Sequence, residues 1–260
     1  MDKIVEYYNK FNEDKRLKSP HGKVEYIVTM KYIKQYLDEI GTGARILDVG
    51  AGTGAYSVPL ALEGYEVHAI ELVKHNVQRL RAKTDKVHAL QGNALKLSKK
   101  FEREYFDLVL VFGPMYHLFS YEDKVQVLRE AQKVTKPGGT IMVAYCMKDY
   151  AIVRHGFMEQ SICRSVEQGK INSDFVLTPQ EDDLYDYVDV GQIDRIREAC
   201  GLERRVLFTP DGPANYIRPS LREMTDEEYD WFVKYVESIS MRADMIGAAA
   251  HTVDVLKNGC

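Results

Sequence analysis

The sequence predicts a doubly wound α/β fold, a seven-stranded sheet that is mainly parallel and carries helices on both faces. Three observations predict it. Short apolar runs alternate with helix-length amphipathic stretches between residues 45 and 146. The first run ends in a carboxylate and three glycines at alternate positions, Asp48-Val49-Gly50-Ala51-Gly52-Thr53-Gly54. That pattern reads as a buried strand feeding a tight turn into a helix N-terminus. Two more strand-like runs, at 203–209 and 251–257, follow after long interruptions.

Each element has its own signal. Residues 4–11 and 22–40 are predicted helical; in the second stretch Val24, Ile27, Val28, Ile33, Tyr36, Leu37 and Ile40 recur at helical spacing, and Gly41-Thr42-Gly43 ends it. Strands are predicted at 46–49, 67–71, 87–90, 106–112 and 140–145, with helices over 58–63, 74–83 and 121–135 between them. Lys136-Pro137-Gly138-Gly139 is predicted as a turn. Beyond 147 the rhythm changes. Residues 148–188 contain no clear strand, 191–200 reads as a helix closed by Gly201, and Thr225 with Glu228 opens a helix over 226–242 at capping-box spacing. The organisation expected is an N-terminal helical lid at 1–43, a ligand-binding core at 44–147, and cap insertions at 148–188 and 211–250. Residues 189–210 and 251–258 supply the remaining helix and strands. The aromatics of the insertions (Tyr150, Phe157, Phe175, Tyr185, Tyr187, Tyr216 and Trp231) are expected to form the core of a cap.

Composition narrows the function. A length of 260 residues fits one elaborated domain. With 35 basic against 39 acidic residues and no basic stripe, a nucleic-acid partner is not expected. No apolar run reaches the ~20 residues that span a bilayer, and Met1-Asp2-Lys3-Ile4 has no apolar signal core, so a cytoplasmic protein is expected. Cys146, Cys163, Cys200 and Cys260 are scattered without metal-ligand spacing. Reduced thiols and no metal site are the expectation.

The ends of the parallel strands share one rim, where such sheets bind ligands. The glycine loop lets the backbone approach a polar small molecule, and a helix N-terminus adds unpaired N–H groups. Gly50-x-Gly52-x-x-Ala55 alone also fits a loose dinucleotide fingerprint. Glu71 closes the second strand, where a carboxylate can accept from both hydroxyls of a ribose. Gln91-Gly92-Asn93-Ala94 closes the third, where a small amide can read a base edge or form a turn. The fourth runs into Gly113-Pro114-Met115-Tyr116-His117-Leu118.

On these residues the chain resembles the class I S-adenosylmethionine-dependent methyltransferases. The similarity is carried by 47–54, Glu71, Gly92-Asn93-Ala94, Phe106-Asp107-Leu108-Val109 with the Tyr116-His117-Leu118 that follows, and Lys136-Pro137-Gly138-Gly139 before the fifth strand. It covers 45–146 strongly and the later strands weakly. The resemblance implies a Rossmann-like methyltransferase fold whose last strand is antiparallel, and it implies S-adenosyl-L-methionine as cofactor with S-adenosyl-L-homocysteine as product. It implies that Gly50, Ala51, Gly52 and Gly54 approach the cofactor and that Asp48 braces the loop or reaches the aminoacyl end. Glu71 would take the ribose, Leu72 the adenine face, Asn93 and Ala94 the adenine edge, and Phe112 and Gly113 the region of the sulfonium. Tyr7 or Tyr8, and of the two Tyr8, would contact the cofactor from the N-terminal helix.

The activity implied is methyl transfer to a small-molecule nucleophile. His117 is the candidate base, since imidazole titrates near neutrality, and Tyr116 can donate to the acceptor or pack. His155 falls in an insertion, and His251, at the start of a core strand, is expected to be structural. Three other readings remain: methylation of RNA or protein, cofactor binding without catalysis, and a nicotinamide-dependent dehydrogenase, which a preference for NAD over S-adenosylmethionine would reveal. The first lacks an Asn-Pro-Pro-Tyr type tetrapeptide after the fourth strand. The second is open because methyl transfer requires no obligatory catalytic side chain.

Overall fold

The computed structural model describes residues 6–7, 13–180 and 183–259. Seven strands form one sheet: β1 (Arg45–Val49), β2 (Glu66–Glu71), β3 (Val87–Gln91), β4 (Phe106–Val111), β5 (Thr135–Cys146), β6 (Glu203–Phe208) and β7 (His251–Lys257). Their order is β3-β2-β1-β4-β5-β7-β6. β1 to β5 run parallel, and β7 lies antiparallel to both β5 and β6. The strand order reverses between β1 and β4, which opens a crevice at their C-terminal ends.

Side chains alternate across each strand, and this splits the core in two. Ile46, Leu108, Leu110, Met142 and Val253 face one layer, with Val24, Val28, Ile33 and Leu37 of α2 (Pro20–Ile40) and Leu60 of α3 (Ser57–Leu62). Leu47, Val49, Val109, Val111, Ile141 and Val143 face the other, under Val127, Leu128 and Ala131 of α5 (Tyr121–Val134) and Ile193 of α8 (Val190–Ala199). Burial on both faces is why the strands read as continuous apolar runs rather than alternating ones.

The helix ends follow their caps. α2 starts at Ser19, whose side chain accepts from Gly22 N, has Pro20 at its first position, and stops at Gly41 with φ 94°. A short helix, α1 (Glu13–Lys18), precedes it. α8 and α10 (Asp226–Ile239) each open with a full capping box, Asp189 with Gln192 and Thr225 with Glu228. α4 (Lys74–Lys83) matches its predicted span. α10 ends three residues early, and its continuation becomes a separate turn, α11 (Ala243–Ile246).

Lys136-Pro137-Gly138-Gly139 does not form a free turn. It is drawn into β5, which bulges between the pairs Phe106–Thr135 and Leu108–Thr140, with Gly138 at φ 76°. The Asn258 side-chain amide donates to the carbonyls of Thr135 and Lys136 and holds the bulge.

Both long interruptions leave from the rim. Residues 148–188 carry α6 (Lys148–Ala151), a π-type turn at Ile152–Met158, α7 (Ile162–Glu167) and only isolated bridges. Residues 211–250 carry α9 (Arg218–Glu223), α10 and α11. Among the described residues no helix is long and apolar enough to cross a membrane, and Cys146, Cys163 and Cys200 are free thiols.

Candidate active site

A single cavity of roughly 700 Å³ runs along the rim from the ends of β1 and β2 to the start of β7. From β2 to β7 the sheet order makes four strand steps, about 19 Å at the usual spacing of about 4.8 Å.

The first end is built on the glycine loop. Gly50 has φ 75°, and a Cβ there would meet Pro114 Cδ at 2.8 Å, so the loops after β1 and β4 approach as only glycine allows. Gly52 has φ 54°, and nothing lies within 4 Å of where its Cβ would be. Its backbone is therefore a bare cradle on the cavity wall. Gly52 N donates to Glu71 Oε2 (3.0 Å), and Val73 N donates to Glu71 Oε1 (2.8 Å). Glu71 thus stands at the wall with its carboxylate oriented by backbone. Burial raises its pKa, and these amides work in the other direction. Asp48, buried beneath the loop, accepts from Ser57 Oγ at 2.5 Å. Burial pushes its carboxyl up to about 6, with Ser57 opposing and the Glu71 charge adding. A nucleoside with vicinal hydroxyls and an aminoacyl tail fits this set: a cradle without side chains, one oriented carboxylate, and Leu72, Asn93 and Ala94 on the adjoining wall.

The turn after β4 forms the middle. Phe112, Gly113, Tyr116 and His117 line the cavity. Tyr116 donates its hydroxyl to Phe112 O (2.7 Å), which closes the turn on itself. His117 Nδ1 lies 2.9 Å from Leu184 O. A carbonyl can only accept, so Nδ1 carries the proton and Nε2 the lone pair in the neutral ring. Burial holds the His117 pKa below its ordinary value, with the Leu184 carbonyl opposing. The 184–187 segment is fastened here: Asp186 N donates to Tyr116 O (2.8 Å), and Lys124 pairs with Asp186 at 2.5 Å while also donating to Leu118 O. Tyr185 stacks on His117 with centroids 5.3 Å apart.

The far end is polar and was not anticipated. β7 runs antiparallel to β5 with Cys146 opposite His251, so the first residue of β7 reaches the rim where the parallel strands end. His251, expected to be structural, lines the cavity, and its Nδ1 lies 2.7 Å from Asp211 Oδ2. Burial disfavours its charge, but the Glu25 and Asp211 carboxylates together hold its pKa well above the usual imidazole value. Asp211 also accepts from Asn215 Nδ2 (2.8 Å), and Arg16 forks onto Glu25 at 2.6 and 3.1 Å. Among the described residues, Glu25, Asp211 and His251 are the one set of three side chains with metal-ligand atoms within 4.8 Å of one another. Both carboxylates already have cationic partners, and the set reads as an ion-pair network.

Most residues expected at the site converge on this cavity: Asp48, Gly50, Ala51, Gly52, Glu71, Leu72, Asn93, Ala94, Phe112, Gly113, Tyr116 and His117. Gly54 does not line it. A Cβ there would meet Leu80 Cδ1 at 2.1 Å, so this glycine makes room for α4. Asn93 does both things read for it, lining the wall and accepting from Leu95 N as a turn cap (2.9 Å). Tyr8 lies outside the described residues; Tyr7 lines the cavity, edge-on to Tyr185. The insertion aromatics do not form one cap core. Tyr150, Tyr185 and Tyr187 line the cavity, while Phe157, Phe175 and Trp231 are exposed. Arg218, Asn215 and Asp211 carried no motif. The usable signal was topological: the residues flanking an antiparallel last strand fall on the ligand-binding rim.

Residues 47–143 match the family described as Methyltransferase domain. Among curated proteins the chain is similar to a demethylmenaquinone methyltransferase of Renibacterium salmoninarum, at 32% identity over 45% of this chain and 48% of that protein. It is also similar to a ubiquinone biosynthesis O-methyltransferase of Rickettsia prowazekii, at 30% identity over 48% and 47%. The chain spans about half the length of the curated relatives it matches. Among solved structures, one of a methyltransferase from Thermotoga maritima superposes with TM-score 0.57 at 16% identity, covering 98% of this chain and 99% of that one. Another, from Methanosarcina mazei, gives 0.59 at 13% identity over 88% and 97%. At these identities the two structures speak for the fold.

Proposed function

We propose that residues 47–143, which match the family described as Methyltransferase domain, act as a class I S-adenosylmethionine-dependent methyltransferase, and that the protein moves a methyl group from this cofactor to a small-molecule oxygen, nitrogen or sulfur nucleophile. The observation that carries the proposal is the continuity of the cavity: the Gly50–Gly52 cradle and Glu71 open into the same space as His117, Tyr150 and His251. In this reading Glu71 accepts from the ribose hydroxyls, Leu72 packs on the adenine, Asn93 and Ala94 meet its edge, and Phe112 and Gly113 flank the reacting end.

When bound, the cofactor supplies a methyl group already activated by its sulfonium. The chain's own residues then align and enclose. The Gly50–Pro114 contact fixes the cradle against the β4 turn, so the nucleophile's approach line is set by backbone rather than by mobile side chains. Tyr7, Tyr185 and Tyr187 border the cavity and exclude water. An acceptor that must lose a proton finds Nε2 of neutral His117, whose orientation Leu184 O maintains.

Thermal unfolding with S-adenosylmethionine, S-adenosylhomocysteine and NAD in parallel tests the cofactor. Each ligand is supplied at about 100 times its dissociation constant, worth about 2.7 kcal/mol or roughly 5–10 °C. Transfer from methyl-labelled cofactor to a panel of phenols, amines and thiols tests the reaction; phenols are included because one relative is named a demethylmenaquinone methyltransferase and another a ubiquinone biosynthesis O-methyltransferase. A rise with NAD alone, or cofactor binding with no transfer across the panel, would count against the proposal.

A further inference from the structure

We infer that the β7 end of the cavity is an oxyanion subsite, and that the molecule it takes carries a carboxylate or phosphate gripped by Arg218. Calling that molecule the methyl acceptor rests on the function proposed above; the subsite itself does not.

Charge pairing sets Arg218 apart. Each carboxylate around this end already has a cation: Glu25 has Arg16, Asp211 has His251, and Glu159 has Arg154 and His155. Arg218 lines the same cavity. Among the described residues it meets no carboxylate. Nε donates to Asn215 Oδ1 (3.0 Å), and Nη2 donates to Asn215 Oδ1 and to Tyr150 Oη (3.3 Å). These partners are neutral. A guanidinium has five N–H donors, and here the two on Nη1 have no protein partner among the described residues. Nor is Nη1 shut away from solvent, since among the described residues the sole buried side-chain nitrogen or oxygen without a partner is Nε of Arg197. The half-buried cation therefore presents one edge to the cavity.

The orientation of that edge is built in. Asp211, fully buried, holds Asn215 through Nδ2 and His251 through Nδ1. Asn215 in turn presents Oδ1 to Arg218. One buried carboxylate thus aims two groups into one space, a guanidinium and an imidazole whose Nε2 has no protein partner among the described residues. His21, on the same wall, is held neutral to about pH 4 by burial and then by the Arg218 charge. It adds no competing cation at neutral pH and can serve as a hydrogen-bonding wall. A planar or tetrahedral oxyanion fits a fixed guanidinium edge. An ammonium group would be repelled by it.

The test uses the whole protein saturated with S-adenosylhomocysteine, whose own dissociation constant is measured first. Calorimetric titrations then compare 4-hydroxybenzoate, phenyl phosphate and the neutral isostere 4-hydroxybenzamide. The expected result is that the carboxylate or the phosphate binds at least about tenfold more tightly than the amide; which of the two leads identifies the anion. Arg218→Gln should erase that preference and Arg218→Lys should keep part of it, with the S-adenosylhomocysteine constant unchanged in both. Anions no better than the amide, no anion binding up to about 10 mM, or a preference that survives Arg218→Gln would overturn the subsite. Should S-adenosylhomocysteine itself fail to bind, the same titrations are run on the protein alone. Anion binding that Arg218→Gln removes would then uphold the subsite while the methyltransferase reading falls.

Discussion

Replacing Glu71 with Ala is expected to weaken S-adenosylhomocysteine binding by roughly 10- to 150-fold. The carboxylate stands on the cavity wall, and its two oxygens are oriented by Gly52 N and Val73 N. Hydrogen bonds to a charged group are worth about 1.5–3 kcal/mol, and each 1.4 kcal/mol is about tenfold in affinity. The fold itself should change less. Burial raises the Glu71 pKa, with the backbone amides opposing. A carboxyl whose folded pKa lies above its unfolded one favours folding when protonated, and that advantage is lost as pH rises through the folded value. At pH 7 the ionised side chain is therefore a cost to the empty protein, which alanine removes. Against this, the buried amide of Val73 loses its acceptor, at about 1–3 kcal/mol. The two effects offset, so the cofactor-free protein should lose no more than about 2 kcal/mol. Calorimetry gives the dissociation constant and urea unfolding gives the stability. A constant within about threefold of the parent in a folded variant would refute the reasoning: Glu71 would then brace the loop without reaching the ligand.

Three further substitutions separate the remaining roles. Asp48→Asn should stabilise the cofactor-free protein at pH 7.5 by up to about 3 kcal/mol, because the carboxyl lies near 6 in the fold against 3.8 unfolded; urea unfolding should show the gain shrinking as pH falls through 6 and vanishing below 4. His117→Gln should lower turnover about a hundredfold with cofactor affinity unchanged. Burial keeps the parent histidine neutral to below its ordinary value of 6.5, so the acid limb of kcat/KM should fall below pH 6.5 in the parent and be absent in the variant; a limb that persists would assign the proton to another group. Gly50→Ala forces a Cβ to 2.8 Å from Pro114 Cδ at φ 75°, a cost of about 1–3 kcal/mol that calorimetric melting should read as a fall of about 3–10 °C.

The sheet was legible because its strands are buried on both faces and its helices carry one apolar stripe, two patterns that local sequence records directly. The first end of the cavity was legible because Gly50 and Gly52 directly follow β1 and Glu71 closes β2, so each stands at a strand end that the local pattern marks. Gly54 shows the limit of that reading. Three glycines at alternate positions look alike in sequence, yet the third does not line the cavity, and a Cβ there would meet Leu80, 26 positions further along the chain. Lys136-Pro137-Gly138-Gly139 shows another. Its turn chemistry is real, but Asn258 and the ladder to β4 pull it into the strand as a bulge. Phe157, Phe175 and Trp231 failed as core residues because exposure depends on what packs over a cap, which residue type alone does not encode.

The far end was illegible for a topological reason, and that reason also explains its chemistry. β6 pairs antiparallel with β7 and so points the same way as β5. The 211–250 insertion therefore leaves the sheet at the rim after β6 and returns to it at the start of β7. Asp211 stands just after the departure and His251 at the return, 40 positions apart in sequence and 2.7 Å apart in space. Asn215 and Arg218 follow Asp211 within one loop and the start of α9. An insertion placed there can change length and sequence without disturbing the strands, while its two roots remain fixed to the cavity wall. In the proposed function the cradle at β1 and β2 would take what every transfer shares, and the roots of the insertion are where a preference for one acceptor over another can be built. Replacing Asp211 with Asn should expose that division. Removing the buried charge releases both His251 and Asn215, so selectivity among anionic probes should collapse while the S-adenosylhomocysteine constant, set four strand steps away at β2, stays where it was.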